Sequence, residues 1–266
     1  MFRIYSFLSV LSGLILLSDT VTAQNTVEKD LSSSFSQHGV KGCFILYNTE
    51  SDTWIEYNRL SCDSGYIPAS TFKIPHALIA LEEEVVTDTN QVIKWDGHEW
   101  FITTWNQDQT LKTSLKYSCV WVYTGFAQQM PIDTYYRYVR DFDYGNKDLR
   151  GPSDRFWLAG AFRISARQQV EFLRRFYNYN LPVSKRSVDL VKGCIVLERT
   201  PAYILSGKTG SGMLSDTDYI MWLVGYVEKE GHTYFYAMNF RSNDWEKTAP
   251  LRYDIAKEIL RELKIL

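Results

Sequence analysis

The sequence predicts an α+β fold: an antiparallel sheet built from both chain ends and flanked by helices, with an inserted helical subdomain. Three observations carry that expectation. Alternating apolar and polar runs gather at residues 42–58 and again at 202–240, the stretch between them has helical periodicity, and a further helical pattern closes the chain after Pro250. Strands, helical middle, strands, helix is an order that closes one sheet with both ends of the chain.

Residues 42–58, GCFILYNTESDTWIEYN, alternate around Asn48-Thr49-Glu50-Ser51 and predict a hairpin. In the middle, Ser165 followed by Gln168 has capping-box spacing, in which each side chain reaches the other residue's backbone N–H, and Val170, Leu173, Phe176 and Tyr177 then recur at helical spacing. Three runs follow at 202–206, 219–227 and 233–240. The last two are separated by Glu228-Lys229-Glu230-Gly231-His232, a turn of hairpin length containing glycine. Pro250 has no N–H to leave unpaired in a first turn, so it opens a last helix with Leu251, Ile255, Ile259, Leu260 and Leu263 on its apolar side.

At the start, Arg3 precedes an apolar core over residues 7–17, and Val21-Thr22-Ala23 offers a small-residue cleavage site. The core is shorter than the roughly 20 residues that span a bilayer, so residues 1–23 are expected to be a cleaved secretory signal. Residues 24–266 then form the functional domain, periplasmic or secreted, with no stable membrane insertion. With 29 Lys+Arg against 31 Asp+Glu and a net charge of −2, nucleic acid is not the expected partner. His38, His76, His98 and His232 share none of the short spacings of metal sites, so no metal is expected. Cys43, Cys62, Cys119 and Cys194 allow three full pairings. Cys43 with Cys62 is the favoured pair if one forms, and four free thiols are an equal alternative.

Ser70-Thr71-Phe72-Lys73 opens a helical stretch, and i, i+3 spacing puts a hydroxyl and an amine on one face. A serine becomes a nucleophile beside a base, and a lysine is that base only when burial or neighbours keep it neutral. Ser-x-x-Lys alone arises about once by chance in a chain of this size. Lys208-Thr209-Gly210, at the end of an expected strand, is far rarer, with a chance expectation on the order of 0.05. Its Lys and Thr suit an anionic substrate, and its Gly would let that substrate approach the backbone. Ser118-Cys119-Val120 and Tyr144-Gly145-Asn146 complete the set.

In this order, with Phe156-Trp157-Leu158, these motifs resemble the signature of the class D, oxacillinase-type serine β-lactamases, over nearly the whole mature chain. The resemblance implies that β-lactam antibiotics, small-molecule substrates, are opened through an acyl-enzyme on Ser70. It implies that Lys73 takes up carbon dioxide to become a carbamate (N6-carboxylysine) and serves as general base, held by the Trp157 indole. No other cofactor is implied. Ser118 would relay a proton to the leaving nitrogen in the field of Lys208. Thr209 and Arg252 would bind the substrate carboxylate, the N–H groups of Ser70 and Ser211 would form the oxyanion hole, and Val120 and Gly210 would border the substrate. Tyr144 and Asn146 read as supports, and Cys119, its side chain turned from Ser118, as chemically idle. Where many relatives carry two adjacent tryptophans and a third after the next glycine, this chain has Met221-Trp222-Leu223-Val224-Gly225-Tyr226, which bears on substrate spectrum. A penicillin-binding sensor domain or a cell-wall transpeptidase, either of which stays acylated, is the alternative, and homodimer formation stays open.

Overall fold

A computed structural model describes residues 25–266; the expected signal at residues 1–23 lies outside them. The strands are β1 (Asn25–Glu28), β2 (Lys41–Asn48), β3 (Thr53–Tyr57), β4 (Val196–Arg199), β5 (Ile204–Ser215), β6 (Asp218–Lys229) and β7 (His232–Ser242). They pair into one sheet in the order β1-β3-β2-β7-β6-β5-β4, so its centre joins a strand from the start of the chain to one from the end. The sheet is antiparallel except at one edge, where β1 runs parallel to β3 with Asn25 opposite Thr53. That departs from the all-antiparallel expectation: all four residues of β1 are exposed, so the strand has no alternation to read.

Three other details were not foreseen. β4 is a four-residue edge strand entered directly from the helix Lys185–Cys194. β5 runs on through Lys208-Thr209-Gly210 to Ser215, so the triplet sits inside the strand rather than at its end. β6 and β7 extend until only Glu230 and Gly231 remain between them, with φ of 53° and 84°. Two positive φ values in a two-residue loop match the twist of a hairpin.

Both faces of the central strands are buried, which is why β6 and β7 read as almost unbroken apolar runs. Ile220, Trp222, Val224 and Tyr226 point to one face, with Phe235 and Ala237 of β7 and Cys43 and Ile45 of β2. There they meet the helices Lys73–Glu82, Val120–Gln129, Ile132–Asp141 and Ala166–Tyr177, which form the inserted helical part between β3 and β4. The capping box at Ser165 and Gln168 starts the last of these, as expected. Met221, Leu223 and Val227 point to the other face, under Phe35 and the terminal helix Leu251–Glu262. No described helix is long and apolar enough to cross a membrane. All four cysteines are buried free thiols, and Cys62 donates to the carbonyls of Phe44 and Tyr57.

Candidate active site

Sheet and helical part meet at a cleft of about 930 Å³ lined by Ser70, Ser118, Val120, Thr209, Gly210, Ser211 and Arg252, so every substrate-contact residue expected from the motifs reaches one cavity. Ser70 lies in a 3₁₀ turn, Ala69–Phe72, that leads straight into the helix Lys73–Glu82. The turn is held from three sides. Ala69 has φ of 49° and donates its N–H to the Trp157 carbonyl, 3.0 Å away. Thr71 Oγ1 donates to the Pro68 carbonyl and accepts from Gln169, whose Oε1 in turn accepts from the Tyr144 hydroxyl. The third side is β5, where a Cβ on Gly210 would meet Pro68 O and Thr71 Cγ2, each at 3.1 Å. The missing side chain of Gly210 thus lets the strand approach the Ser70 turn, while the residue also lines the cleft.

Lys73 is wholly buried, and its Nζ lies 2.7 Å from Ser70 Oγ, its one hydrogen-bond partner among the described residues. Aromatic rings lie close by. Nζ lies 5.1 Å from the centre of the Tyr123 ring, and Phe72, next in the chain, stacks on Trp157. Burial pulls the Lys73 amine down to about 7, against a small opposing pull from Cys119. Near neutral pH a large share of it is therefore the free amine. The Trp157 indole N–H is buried with no hydrogen-bond partner among the described residues. An unpaired buried donor costs stability unless a group that visits the site accepts from it.

Across the cleft, Ser118 has φ of 55° between the helices Leu111–Lys116 and Val120–Gln129. Left-handed backbone in a residue with a Cβ costs roughly 1–2 kcal/mol, and here it presents the hydroxyl to Lys208 Nζ at 3.0 Å. Lys208 also donates to Thr209 O at 3.1 Å and reaches Thr209 Oγ1 at 3.4 Å. Burial, then Lys73 and Arg252, pull Lys208 below the usual lysine range. Arg252 enters from the terminal helix and donates to Ser211 Oγ at 2.8 Å and Gly210 O at 3.1 Å. Cys119 is buried, and burial pushes its thiol up to about 12, so it stays a neutral thiol within electrostatic reach of Lys73.

Asn146 and Tyr144 brace the wall, Asn146 by accepting from Arg163 N–H and donating to Ala161 O. Motif reading missed Phe101, Trp105 and Trp245, which form the cleft mouth, and His76 behind Lys73. Phe101 and Trp105 lie four residues apart in one irregular segment, while Trp245 opens a short helix 140 residues later, so no local motif links the three.

Comparison with known proteins follows this geometry. Residues 22–263 match the family described as penicillin binding protein transpeptidase domain. The β-lactamase OXA-48 of Klebsiella pneumoniae is 40% identical over 238 residues, 90% of this chain and 89% of the relative. The crystal structure of a class D β-lactamase from Sebaldella termitidis superposes with a TM-score of 0.87 at 32% identity, over 92% of this chain and all of that one. The C-terminal domain of the Bacillus licheniformis BlaR penicillin receptor superposes equally well, TM-score 0.87 at 31% identity, over 91% of this chain and 98% of that domain. By these matches the chain belongs to the penicillin-recognising serine proteins and, within them, to the class D serine β-lactamases.

Proposed function

We propose that this protein hydrolyses β-lactam antibiotics through an acyl-enzyme on Ser70, with Lys73 acting as a carbamate. The observation that carries the reading is the Lys73 pocket. A wholly buried amine depressed to about 7 touches the nucleophile at 2.7 Å, and Trp157, stacked on the neighbouring Phe72, carries an indole N–H with no partner among the described residues. Only a neutral amine captures carbon dioxide, and the anion so formed needs the donor that Trp157 holds ready, so the residues fit the group. Once formed, the carbamate supplies an anionic general base within reach of Ser70.

The remaining steps belong to the chain's own residues. Ser70 Oγ gives up its proton and attacks the β-lactam carbonyl, whose oxygen turns to the N–H groups of Ser70 and Ser211. As the carbonyl C–N bond breaks, the nitrogen takes a proton from Ser118, whose oxygen is stabilised by the N–H that Lys208 donates to it from 3.0 Å, and Ser118 is reprotonated with the proton taken off Ser70. Thr209 and Arg252 bind the substrate carboxylate. Arg252 already donates to the Ser211 hydroxyl, and that contact yields to the stronger charge-assisted pair. Val120 and Gly210 border the bound ring. Water then cleaves the Ser70 ester, frees the opened product and restores the hydroxyl. The reading includes export to a periplasmic or secreted location, where these antibiotics act.

The likeness to the BlaR receptor domain favours one other reading, a sensor that keeps its acyl group. Intact mass followed after a stoichiometric addition of benzylpenicillin separates the two. Hydrolysis predicts an adduct that appears and then vanishes; an adduct that persists for hours overturns it.

A further inference from the structure

His76 takes no part in the chemistry above, yet it lies one helical turn beyond Lys73, is wholly buried and is enclosed by the same rings. Its imidazole packs edge-to-face on Trp157, ring centres 4.8 Å apart, and on Tyr123 and Tyr135 at 5.1 Å each. Nε2 lies 2.6 Å from the Tyr135 hydroxyl, and Nδ1 has no hydrogen-bond partner among the described residues. The titratable groups packed around it are Lys73, Tyr123 and Tyr135. Burial, and then Lys73, hold it well below the usual histidine range, so the ring is neutral.

A neutral ring and a phenol share two hydrogens. If Nε2–H donated to the phenol, both the hydroxyl hydrogen and the Nδ1 lone pair would be left unpaired. If the phenol donates to Nε2, only Nδ1–H is left, so the second arrangement wastes fewer buried groups. His76 then carries its proton on Nδ1. Two unpaired N–H groups, Trp157 Nε1–H and His76 Nδ1–H, thus sit on rings that touch, beside the helix that carries Lys73. An apolar residue would fill the same space without an orphaned nitrogen, so packing alone does not account for a histidine here.

We infer that His76, locked by Tyr135, is a positioning residue for the Lys73 carbamate: it fixes the Trp157 indole against which its ring packs and adds a second N–H dipole to the pocket wall. The inference rests on the carbamate reading above. It is tested by titrating the protein with ¹³C-bicarbonate near neutral pH and following the carbamate carbon by NMR in the parent, His76→Leu and Tyr135→Phe. Half-saturating bicarbonate should rise about tenfold in His76→Leu, the loss of one hydrogen-bond contribution near a charge, and about threefold in Tyr135→Phe, where the ring survives but its anchor is gone. At saturating bicarbonate, KM for benzylpenicillin should equal the parent's. If the parent shows the carbamate signal and both variants titrate as it does, the inference is overturned and the carbamate reading stands. If the parent shows no signal, both fall. Should His76→Leu fail to fold, Tyr135→Phe, which removes a single oxygen, decides alone.

Discussion

The two buried lysines of the cleft have the same side chain and almost the same exposure, 0% for Lys73 and 4% for Lys208, yet their pockets are opposites. Lys73 has one hydrogen-bond partner among the described residues and aromatic rings close by. Lys208 has three oxygens around Nζ, from Ser118 and Thr209. An ammonium carries three hydrogens, and three acceptors suit the charged form. One acceptor in a dry pocket suits the free amine. Burial pulls both amines down, but a proton carried by Lys208 has three oxygens to meet where one carried by Lys73 has a single hydroxyl.

Removing the hydroxyl beside each lysine tests that division most strongly. Ser70→Ala should abolish the penicilloyl adduct while circular dichroism stays that of the parent, because Ser70 carries the cleft hydroxyl that lies against Lys73. Ser118→Ala should still form the adduct, with kcat/KM lower by about 10²–10⁴, the usual weight of a general acid–base group. Equal effects from the two changes would erase the contrast. The anion side is sharpened by Arg252→Ala, which should raise KM about 10- to 100-fold for carboxylate-bearing substrates, as binding energy common to ground and transition states is lost. A change confined to kcat would mean that Arg252 does not hold the carboxylate.

A smaller, thermodynamic effect follows from the dry pocket. Lys73 sits at about 7 in the folded protein against 10.5 in the free residue. Between these values the unfolded chain binds the extra proton, so in carbon dioxide-free buffer stability rises with pH across that window, and the gain is lost as pH falls back to about 7. Lys73→Met removes this contribution. Urea unfolding of parent and variant should differ in slope by about 1.4 kcal/mol per pH unit, and parallel slopes would mean that Lys73 is not depressed.

What the sequence disclosed follows the range of the interactions involved. Ser70 and Lys73 are three apart, so one turn of helix brings them together and the motif could be read locally. The meeting of Ser118 and Lys208 spans 90 residues and was expected only through the order of family motifs. The continuation of β5 through Gly207-Lys208-Thr209-Gly210-Ser211-Gly212 was invisible because glycine-rich strand has poor intrinsic propensity. Pairing with β6 from Ile204 to Ser215 imposes it. His76 reads as one more core residue of an apolar helix until its neighbours, which come from three other segments, are seen in space.

The most direct test of the Lys73 pocket is activity against bicarbonate in degassed buffer, from pH 5 to 8, for the parent and Trp157→Phe. Below about 7 the amine is protonated and releases carbon dioxide, so parent activity should fall toward acid and return on adding bicarbonate at constant protein concentration. Trp157→Phe keeps most of the apolar wall but deletes the indole donor, worth about 1.5–3 kcal/mol toward a charged acceptor. It should need at least tenfold more bicarbonate and should lose deacylation before acylation. Indifference of both proteins to bicarbonate across that range would show Lys73 to be a plain amine and contradict the account.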